Sequence, residues 1–462
     1  MTSRRAAARF RTAISRSRRV RFDGVHADAA TTVEVVSAES TAIPMMSYVA
    51  QRPTLGNTLF RFTKWGNPFA VERFTWPYPI YDRMRVDGPV FYSGLYRQWF
   101  VLGHDEAQQL LRSPNVSTQK AGKVLLDLPS YRKLTPQVRE AVARWLLVQD
   151  PPDHTRLRAV VSRAFTPRAS AAHEALVIHV VDSLLEALPM HGEVDLVETF
   201  TARLPIHTIA SLLGLPPERW EWLRRLSQSL GSILEPLVGI DPAQVNRDVA
   251  ELHDLFQSTI DDRRRSPRED LVSSLLSKEA DGALTDDEVL AMIGFLLFAG
   301  HETVTGALGN AIVALERHPQ QRKLLLDNCD DRDLAERAVE ELLRYDSSVQ
   351  LSARTTTGPV QIGDVTIPTG AVVGVFIGAA NRDPRRWSNA DGLDIERINE
   401  HPVTFGHGIH HCLGAALTRL EMRTALPRLL RRIEPGSLDL NRVEWKKSFV
   451  LRGPTRLPTR IV

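Results

Sequence analysis

The stretch Phe405–Gly414 constrains this chain most, because it sets one cysteine in a glycine-rich loop just before a helical pattern that opens at Leu413. Its glycines at 406 and 408 allow a tight loop whose backbone can approach a flat partner closely. Apolar residues then recur at roughly helical spacing, at Leu413, Leu417, Leu420 and Leu426. A cysteine placed before a helix meets free backbone N–H groups and the positive end of the helix dipole. We therefore expect Cys412 to be stabilised as a thiolate.

The residues alone leave several interpretations of Cys412 open. A free cysteine is most often a buried small hydrophobe. It can also be a zinc ligand in a metal hydrolase, together with His407, His410 and His411. That arrangement would take every ligand from one short loop, and no general base stands at a fixed spacing from it.

Six residues of the loop match the haem-binding loop of the cytochrome P-450 family position by position: Phe405, Gly406, Gly408, His410, Cys412 and Gly414. On these residues the chain resembles a haem-thiolate monooxygenase of the soluble bacterial type, over nearly its whole length after about residue 45. The resemblance implies one mainly α domain with small β-sheets, residues 41–462. Haem b would lie between a long oxygen-binding helix and the helix after the cysteine loop. Cys412 would bind the iron, and Phe405, which shields the sulfur, and Gly406 would belong to the cofactor-binding residues.

A second segment, Asp150–Arg158, reads Asp-Pro-Pro-Asp-His-Thr-Arg-Leu-Arg and starts a helix after its prolines. His154 and Arg158 stand four residues apart on one helix face, so they form either an anion site or an ordinary solvated face. By resemblance they bind a haem propionate. Arg354 and His410 resemble further propionate partners.

A long helix is predicted after Thr285, which forms a capping box with Glu288, and it can run to His318. Gly300 in its middle is explained either by close packing or by function, and an isolated acid such as Glu302 would normally point to solvent. By resemblance this is the oxygen-binding helix. Gly300 would then leave room over the iron, while Glu302 and Thr303 would support proton delivery to dioxygen. An apolar wall for the substrate is expected from Ile293, Leu297 and Ala299.

A later helix carries Glu341 and Arg344, which are close enough to pair. By resemblance Arg397 joins them in a buried structural ion network with no part in the chemistry. Short strands are predicted at 89–102, 360–365 and 372–377, with turns at Gly94 and at 363–364.

The charge is uneven along the chain. The chain has 58 basic and 55 acidic residues, but eight arginines precede the first acid, Asp23. Setting those eight aside leaves 50 basic against 55 acidic residues, so the high pI belongs to the start of the chain. Residues 1–40 are predicted to be a disordered basic tail. No recognisable binding motif accompanies the arginines, so we expect no nucleic acid partner.

Two cysteines, Cys329 and Cys412, cannot form a disulfide framework, which suits a reducing compartment. No apolar run reaches the length of a membrane span, and the longest, Val289 to Ala299, is interpreted as a buried core helix. We therefore expect a cytoplasmic protein without a transmembrane segment. The Arg-rich start also resembles a mitochondrial transit peptide, so an organellar location is the alternative.

The implied activity is insertion of one oxygen atom from O2 into a hydrophobic organic molecule, by hydroxylation or epoxidation. The sequence has no dinucleotide fingerprint and no length for a flavin domain, so NAD(P)H is expected to act only through a separate ferredoxin and its reductase. Three arginines of the helix after Cys412 are candidates for docking that donor, although a solvated face explains them equally well: Arg419, Arg423 and Arg428. A non-catalytic haem-thiolate sensor is the remaining alternative, and it would not need Glu302 and Thr303.

Overall fold

The computed structural model describes residues 74–235, 239–398 and 401–462, so the expected tail at 1–40 lies outside the described residues. The helices are α1 Tyr78–Arg85, α2 His104–Arg112, α3 Thr118–Leu126, α4 Pro136–Ala143, α5 Asp153–Val161, α6 Pro167–Ala172, α7 Glu174–Glu186, α8 Arg203–Leu212, α9 Trp220–Ser232, α10 Pro242–Arg265, α11 Leu271–Ala280, α12 Asp286–Arg317, α13 Pro319–Asp327, α14 Arg332–Tyr345, α15 Ile377–Ala380 and α16 Ala415–Leu430. The strands are β1 Val90–Ser93, β2 Gln98–Val101, β3 Val116–Ser117, β4 Gly192–Asp195, β5 Leu351–Thr356, β6 Val360–Ile362, β7 Val365–Ile367, β8 Val372–Phe376, β9 Glu444–Trp445, β10 Pro454–Arg456 and β11 Pro458–Ile461. The predicted mainly α fold with small sheets is confirmed.

Helix α12 forms the centre of the fold and begins where the sequence predicts. The Glu288 N–H donates to the Thr285 hydroxyl, and the Thr285 N–H donates to the Glu288 carboxylate at 2.9 Å, which completes the capping box. The helix has 32 residues and packs against α8, α9 and α16. It is apolar and long enough to cross a membrane by composition, but 67% of its most apolar window is buried inside the protein. The interpretation of 289–299 as part of a core helix is therefore confirmed.

The main sheet has five strands in the order β1-β2-β8-β5-β3. β1 and β2 form the antiparallel pair that was predicted around Gly94, while β2 pairs with β8 in parallel. The turn at Gly363-Asp364 joins β6 to β7, where Gly363 has a φ of 53°. This sheet carries Arg354 on β5, between its neighbours β8 and β3.

The polar composition of residues 113–123 predicts a loop, but this segment contains β3 and the start of α3. The Ser117 hydroxyl caps that helix by accepting from the Lys120 N–H at 2.9 Å, and the Asp150 carboxylate accepts from the Thr118 N–H at 2.9 Å. Because Asp150 is distant in sequence, local residue preferences could not reveal this cap.

The helix after Cys412 also differs from expectation. α16 begins at Ala415 rather than at Leu413, with Gly414 as its N-cap. It runs three residues beyond Pro427, although a proline inside a helix normally kinks or shortens it. Pro427 is buried together with Leu426 and Leu429, so tertiary packing stabilises a helix that local preference disfavours.

The predicted buried ion network is confirmed. Arg344 donates two hydrogen bonds to the Glu341 carboxylate, at 2.7 and 2.9 Å, and Arg397 donates to the same carboxylate at 3.2 Å. The Arg344 guanidinium also donates to the carbonyls of Asn381 and Ala390. The network therefore ties α14 to the segment that leads to the cysteine loop.

We predict that Glu341→Ala lowers the free energy of unfolding by about 3–5 kcal/mol, because it leaves the fully buried Arg344 charge without its partner. Asp327→Asn is the control, since it removes the exposed Lys323–Asp327 pair and should cost under about 1 kcal/mol. Unfolding by denaturant, followed by far-ultraviolet circular dichroism, measures both. Equal losses in the two variants would contradict the assigned role of Glu341.

Candidate functional site

The cysteine loop is closed by a backbone hydrogen bond from the Cys412 N–H to the Phe405 carbonyl, 2.8 Å long. Gly406 and Gly408 have φ angles of 69° and 71°, in the left-handed region that favours glycine. A Cβ at Gly408 would lie 2.4 Å from the Leu111 carbonyl oxygen at the end of α2. Gly408 therefore allows the loop to pack directly on the backbone of α2.

The electrostatic setting of Cys412 differs from what we expected. Burial raises the pKa of the Cys412 thiol above its ordinary value, while the Gly414 N–H, Arg419 and Arg158 act in the opposite direction and only partly offset it. Because α16 begins at Ala415, the sulfur meets one backbone N–H and not the full end of the helix. In the protein chain by itself, the N–H group before α16 therefore lowers the pKa of Cys412 as expected but does not outweigh burial.

Two arginines lie beside the cysteine loop. The Arg419 guanidinium lies over the Phe405 ring, 4.4 Å from its centroid, which is a cation–π contact. Arg158 donates to the His411 carbonyl at 2.7 Å. Burial lowers the pKa of Arg158, and the charge of Cys412 only partly offsets this effect. Both cations therefore act on the electrostatics of Cys412.

Three of the four expected propionate partners lie close together, in a cluster of buried polar groups. The His154 and His410 rings are 4.2 Å apart, and His410 Nε2 lies 3.2 Å from the Thr118 hydroxyl. Burial, Arg354 and His154 lower the pKa of His410 to about 3, and Asp150 only partly opposes this. Burial is also the main cause that lowers the pKa of Arg354 to about 10. The site therefore disfavours additional positive charge.

Among the described residues, one member of this cluster lacks a hydrogen bond at a buried ring nitrogen, and another lacks an acidic partner within ion-pair distance. His154 is 2% exposed, and its Nε2 atom is buried without a hydrogen bond. Arg354 is buried, and its guanidinium donates to the Ser352 hydroxyl at 2.8 Å and to the Ala353 carbonyl at 2.7 Å. Unpaired buried donors of this kind are costly unless a further acceptor joins them.

Asp150 was missed as a member of this region. Its carboxylate accepts from the Thr118 N–H and hydroxyl, at 2.9 and 3.1 Å, and also from the Ser117 hydroxyl. The Asp-Pro-Pro pattern signals a structured turn, but only the tertiary contact shows which backbone it binds.

Helix α12 presents a stripe of partly exposed residues within its otherwise buried middle, at Phe295, Ala299 and Thr303. The spacing of four places them along one side of the helix. The Thr303 hydroxyl donates to the Ala299 carbonyl at 2.9 Å, which leaves its lone pairs free to accept. Phe295 was missed, although the same spacing could have found it.

Other expectations for α12 were wrong. Ile293 and Leu297 are fully buried in the core, so of the expected apolar wall only Ala299 lies on the stripe. A Cβ at Gly300 would meet the Ile209 side chain of α8 at 3.0 to 3.3 Å. Gly300 therefore allows α12 to pack closely against α8, and its expected role of leaving room over the iron stays a prediction.

Glu302 is buried, 3% exposed, and does not point to solvent. Its carboxylate forms an ion pair with the Lys446 ammonium, and His301 Nδ1 lies 3.6 Å away. Burial raises the pKa of Glu302, but Lys446, His301 and Arg224 together outweigh burial, so that the pKa lies below its ordinary value. Glu302 is therefore charged at neutral pH.

A separate cavity of about 120 Å³ lies beside the first turns of α12, between α4, α9 and α10. Leu290, Ala291 and Gly294 line it, on a side of α12 rotated away from Ala299 and Thr303. Trp145, which also lines it, stacks on Phe298 at 5.5 Å between ring centroids. This cavity is distinct from the surroundings of Cys412.

The three arginines of α16 that were considered for docking are each neutralised. Arg419 pairs with Glu340, and Arg428 lies 3.7 Å from Asp182. Arg423 forms two ion pairs, with Glu336 at 2.9 Å and with Glu174 at 3.2 Å. They do not form an uncompensated basic patch.

The histidines of the cysteine loop do not gather around Cys412. His407 contacts the Arg112 guanidinium, and His410 contacts Thr118. Across residues 74–235, 239–398 and 401–462, no group of three or more His, Cys, Asp and Glu side chains is arranged to hold a metal ion. The zinc hydrolase alternative therefore has no ligand set in this part of the chain.

Comparison with known proteins identifies the family. A family model described as Cytochrome P450 matches residues 228–455. The chain is 36% identical to the vitamin D(3) 25-hydroxylase of Pseudonocardia autotrophica, over 87% of this chain and 95% of that protein. It is 35% identical to the cytochrome P450 monooxygenase PikC of Streptomyces venezuelae, over 86% of this chain and 92% of that protein.

Solved structures agree. The structure of P450BioI with a hexadec-9Z-enoic acid ligated acyl carrier protein has a TM-score of 0.77 and 32% identity, covering 85% of this chain and 99% of that chain. The crystal structure of CalO2 has a TM-score of 0.79 and 31% sequence identity, and the match covers 86% of this chain and 98% of that chain. The chain belongs to the cytochrome P450 family. It is a haem b-dependent monooxygenase, an oxidoreductase that receives its electrons from redox partners.

We predict that Gly408→Ala reduces the haem content of the purified protein and destabilises it by more than about 2 kcal/mol. A left-handed alanine costs roughly 1–2 kcal/mol, and its Cβ would in addition collide with the Leu111 carbonyl. Gly370→Ala is the matched control, because Gly370 has a φ of 79° with open space around it. Haem absorbance per protein and thermal unfolding measure the difference. Indistinguishable variants would show that the collision with α2 is unimportant.

Proposed function

We propose that this monooxygenase hydroxylates or epoxidises a hydrophobic organic small molecule with O2, using electrons that a separate ferredoxin and its reductase carry from NAD(P)H. The observation that carries the proposal is the half-buried Cys412, in a closed loop before α16, which packs on the helix that presents Ala299 and Thr303. Bound haem with a cysteine ligand supplies the oxidising chemistry, since a thiolate donates electron density that favours O–O cleavage.

Cys412 is the proposed iron ligand. The chain by itself raises the pKa of this thiol, so binding of the metal would supply most of the stabilisation of the thiolate. The Phe405 ring lies at the start of the loop, beneath the Arg419 guanidinium. Gly406 adopts the left-handed backbone conformation that turns the loop. These residues shield the sulfur and orient it.

The buried donors without partners fit the carboxylates of haem b. The His154 Nε2 atom has no hydrogen bond in the described part of the protein, and the buried Arg354 faces no ion-paired carboxylate there. His410, next to His154, and Arg158, beside the loop, complete the proposed propionate site. A dianionic group would satisfy this surplus of donors, which otherwise costs stability.

Thr303 and Glu302 are the proposed groups for proton delivery to oxygen. The Thr303 hydroxyl is oriented by its bond to Ala299, and Glu302 is a buried carboxylate one residue earlier. Phe295 and Ala299 supply apolar surface on the same stripe, which suits a hydrophobic substrate. The names of similar proteins agree with such a substrate, since one is a vitamin D(3) hydroxylase and one structure contains testosterone.

The ferredoxin is proposed to dock on the side of the cysteine loop. Ile409 in that loop is 52% exposed. The exposed Arg112 contacts His407, which belongs to the same loop. An apolar residue next to a cation suits a small acidic partner.

The P450BioI structure contains an acyl carrier protein, so a carrier-bound substrate is a second candidate. Assays with free compounds would distinguish a free substrate from a carrier-bound one.

We further propose that residues 41–462 form the catalytic domain, that 1–40 is a basic tail, and that the protein acts in the cytoplasm. The curated relatives reported above come from bacteria, which gives no support to an organellar location. A haem-thiolate sensor without catalysis is the alternative that the Thr303 experiment below distinguishes.

We predict that the reduced protein exposed to carbon monoxide shows a Soret band shifted far to the red of that of histidine-ligated haem, because the thiolate donates electron density to the iron. Cys412→His should abolish the shift. Cys329→Ser should retain it, since the partly exposed Cys329 contacts Arg431 at the C-terminal end of α16 and not the loop. An unshifted band in the unmodified protein would refute the assignment of Cys412.

We predict that Thr303→Ala lowers product formed per NAD(P)H by about tenfold or more and raises peroxide release, since a positioned proton donor contributes about 10²–10⁴-fold. Thr305→Ala is the matched control, because its hydroxyl makes the same bond to the residue four before, at 2.9 Å, but is buried on another side of α12. The assay uses a surrogate ferredoxin system and a compound that shifts the haem spin state. Unchanged coupling in Thr303→Ala would refute the proposed role of Thr303, and the absence of any product from the unmodified protein would favour the sensor.

A further inference from the structure

The cavity beside the first turns of α12 has apolar walls. Buried side chains of three other helices line it: Val138 and Val142 of α4, Leu230 of α9, and Leu252 and Phe256 of α10. Its volume is about 120 Å³. An apolar cavity of about 150 Å³ excludes water and holds benzene, so this one suits a ring of about six carbon atoms.

The charged side chains at the rim of the cavity are paired with each other. Arg144 forms an ion pair with Asp287 at 3.0 Å and lies 3.5 Å from Glu140. All three side chains are exposed to solvent, so the cavity can fill from this side. Because the Arg144 charge is already compensated, the rim does not favour an anion, and the apolar walls favour a neutral ligand.

Helix α12 leaves room for such a ligand at Gly294, which lines the cavity together with Ala291 one turn earlier. A Cβ at Gly294 would meet a ring carbon of Phe256 at 3.6 Å, which is ordinary contact, and nothing else on the neighbouring described elements within 4 Å. A ligand can therefore lie directly against the α12 backbone, and a larger side chain at this position would take its place.

Trp145 stands between the cavity and the side of α12 that bears Thr303. Its ring lines the cavity, stacks on the Phe298 ring with 5.5 Å between centroids, and lies 6.2 Å from the Phe295 ring. Phe295 belongs to the partly exposed stripe that includes Ala299 and Thr303. A molecule in the cavity would therefore contact one side of Trp145, while Trp145 itself contacts the stripe.

We propose that this cavity is a second ligand site, for a small neutral apolar ring compound, and that its occupant tightens binding at the haem by fixing Trp145 against Phe298 and Phe295. With the cavity empty, one side of the Trp145 ring lacks packing partners, and a ligand at the haem bears the cost of ordering it. A filled cavity removes that cost, so the two ligands bind with positive cooperativity. The cooperative effect rests on the proposed function, whereas binding in the cavity does not.

The first test counts toluene molecules bound per haem-loaded protein at saturation, by vapour partitioning. Gly294→Leu should bind one toluene fewer than the unmodified protein, because the leucine side chain occupies the cavity. Gly294→Ala is the matched control and should bind as many as the unmodified protein, since one methyl group leaves most of the cavity open. Equal counts in Gly294→Leu and the unmodified protein would overturn the proposal.

The second test repeats the count with econazole bound, an azole whose imidazole nitrogen binds haem iron and displaces the Soret band. The unmodified protein should still bind one toluene, and Gly294→Leu should bind none. Loss of toluene from the unmodified protein on addition of econazole would show that the cavity is an extension of the substrate pocket. That result would overturn the assignment of a separate site.

The third test measures the cooperativity. Toluene can also compete with econazole at the haem, and Gly294→Leu reports that competition alone. In the presence of toluene, the Kd of econazole should be lower in the unmodified protein than in Gly294→Leu by about fivefold or more. Trp145→Leu should bind toluene in the cavity without this gain. No gain in the unmodified protein, or an equal gain in Trp145→Leu, would overturn the proposed action through Trp145.

The two levels of inference fail separately. An unshifted carbon monoxide band in the unmodified protein would refute the assignment of Cys412, and the first toluene count, which needs neither turnover nor an iron ligand, would still judge the cavity. Should Gly294→Leu not fold, Ala291→Leu serves for the same measurements, because Ala291 lines the cavity from the preceding turn.

Discussion

The packing of the cysteine loop on its neighbours is the constraint on which the rest of the site depends. The Cys412 N–H bonded to Phe405 closes the loop, and the missing side chain of Gly408 lets it approach the backbone of α2. The ion network of Glu341 and Arg344 holds the preceding segment through the carbonyls of Asn381 and Ala390. A thiol that is unfavourable to ionise in the protein alone is thereby kept at one position before α16.

Helix α12 separates three tasks by direction around its axis. Gly300 faces Ile209 and allows close packing with α8. Ala299 and Thr303 lie on the partly exposed stripe, while Glu302 is directed toward α9 and Lys446. Because adjacent residues point about 100° apart, these nearby positions can serve packing, the proposed oxygen chemistry and the proposed proton supply without competing for space.

Much of this could be predicted from local signals. The capping box of Thr285 and Glu288 marked the start of α12, and the pair of Glu341 and Arg344 was readable from its spacing of three. The failures share one cause, which is a partner distant in sequence. Asp150 capping α3, Ile209 against Gly300 and Lys446 on Glu302 all join residues more than thirty positions apart. No periodicity or propensity reports such contacts.

By itself, the sequence determined the family, the mainly α fold and the residues in which the chemistry was to be sought, because a loop pattern with six matching positions is a local property of the chain. Only the tertiary structure decided how those residues are charged and directed. It buried Cys412 enough to raise its pKa, left the His154 Nε2 atom without a partner among the described residues, and paired Glu302 with Lys446. The physical reason is that desolvation and ion pairing depend on distances between segments, which the order of residues does not contain.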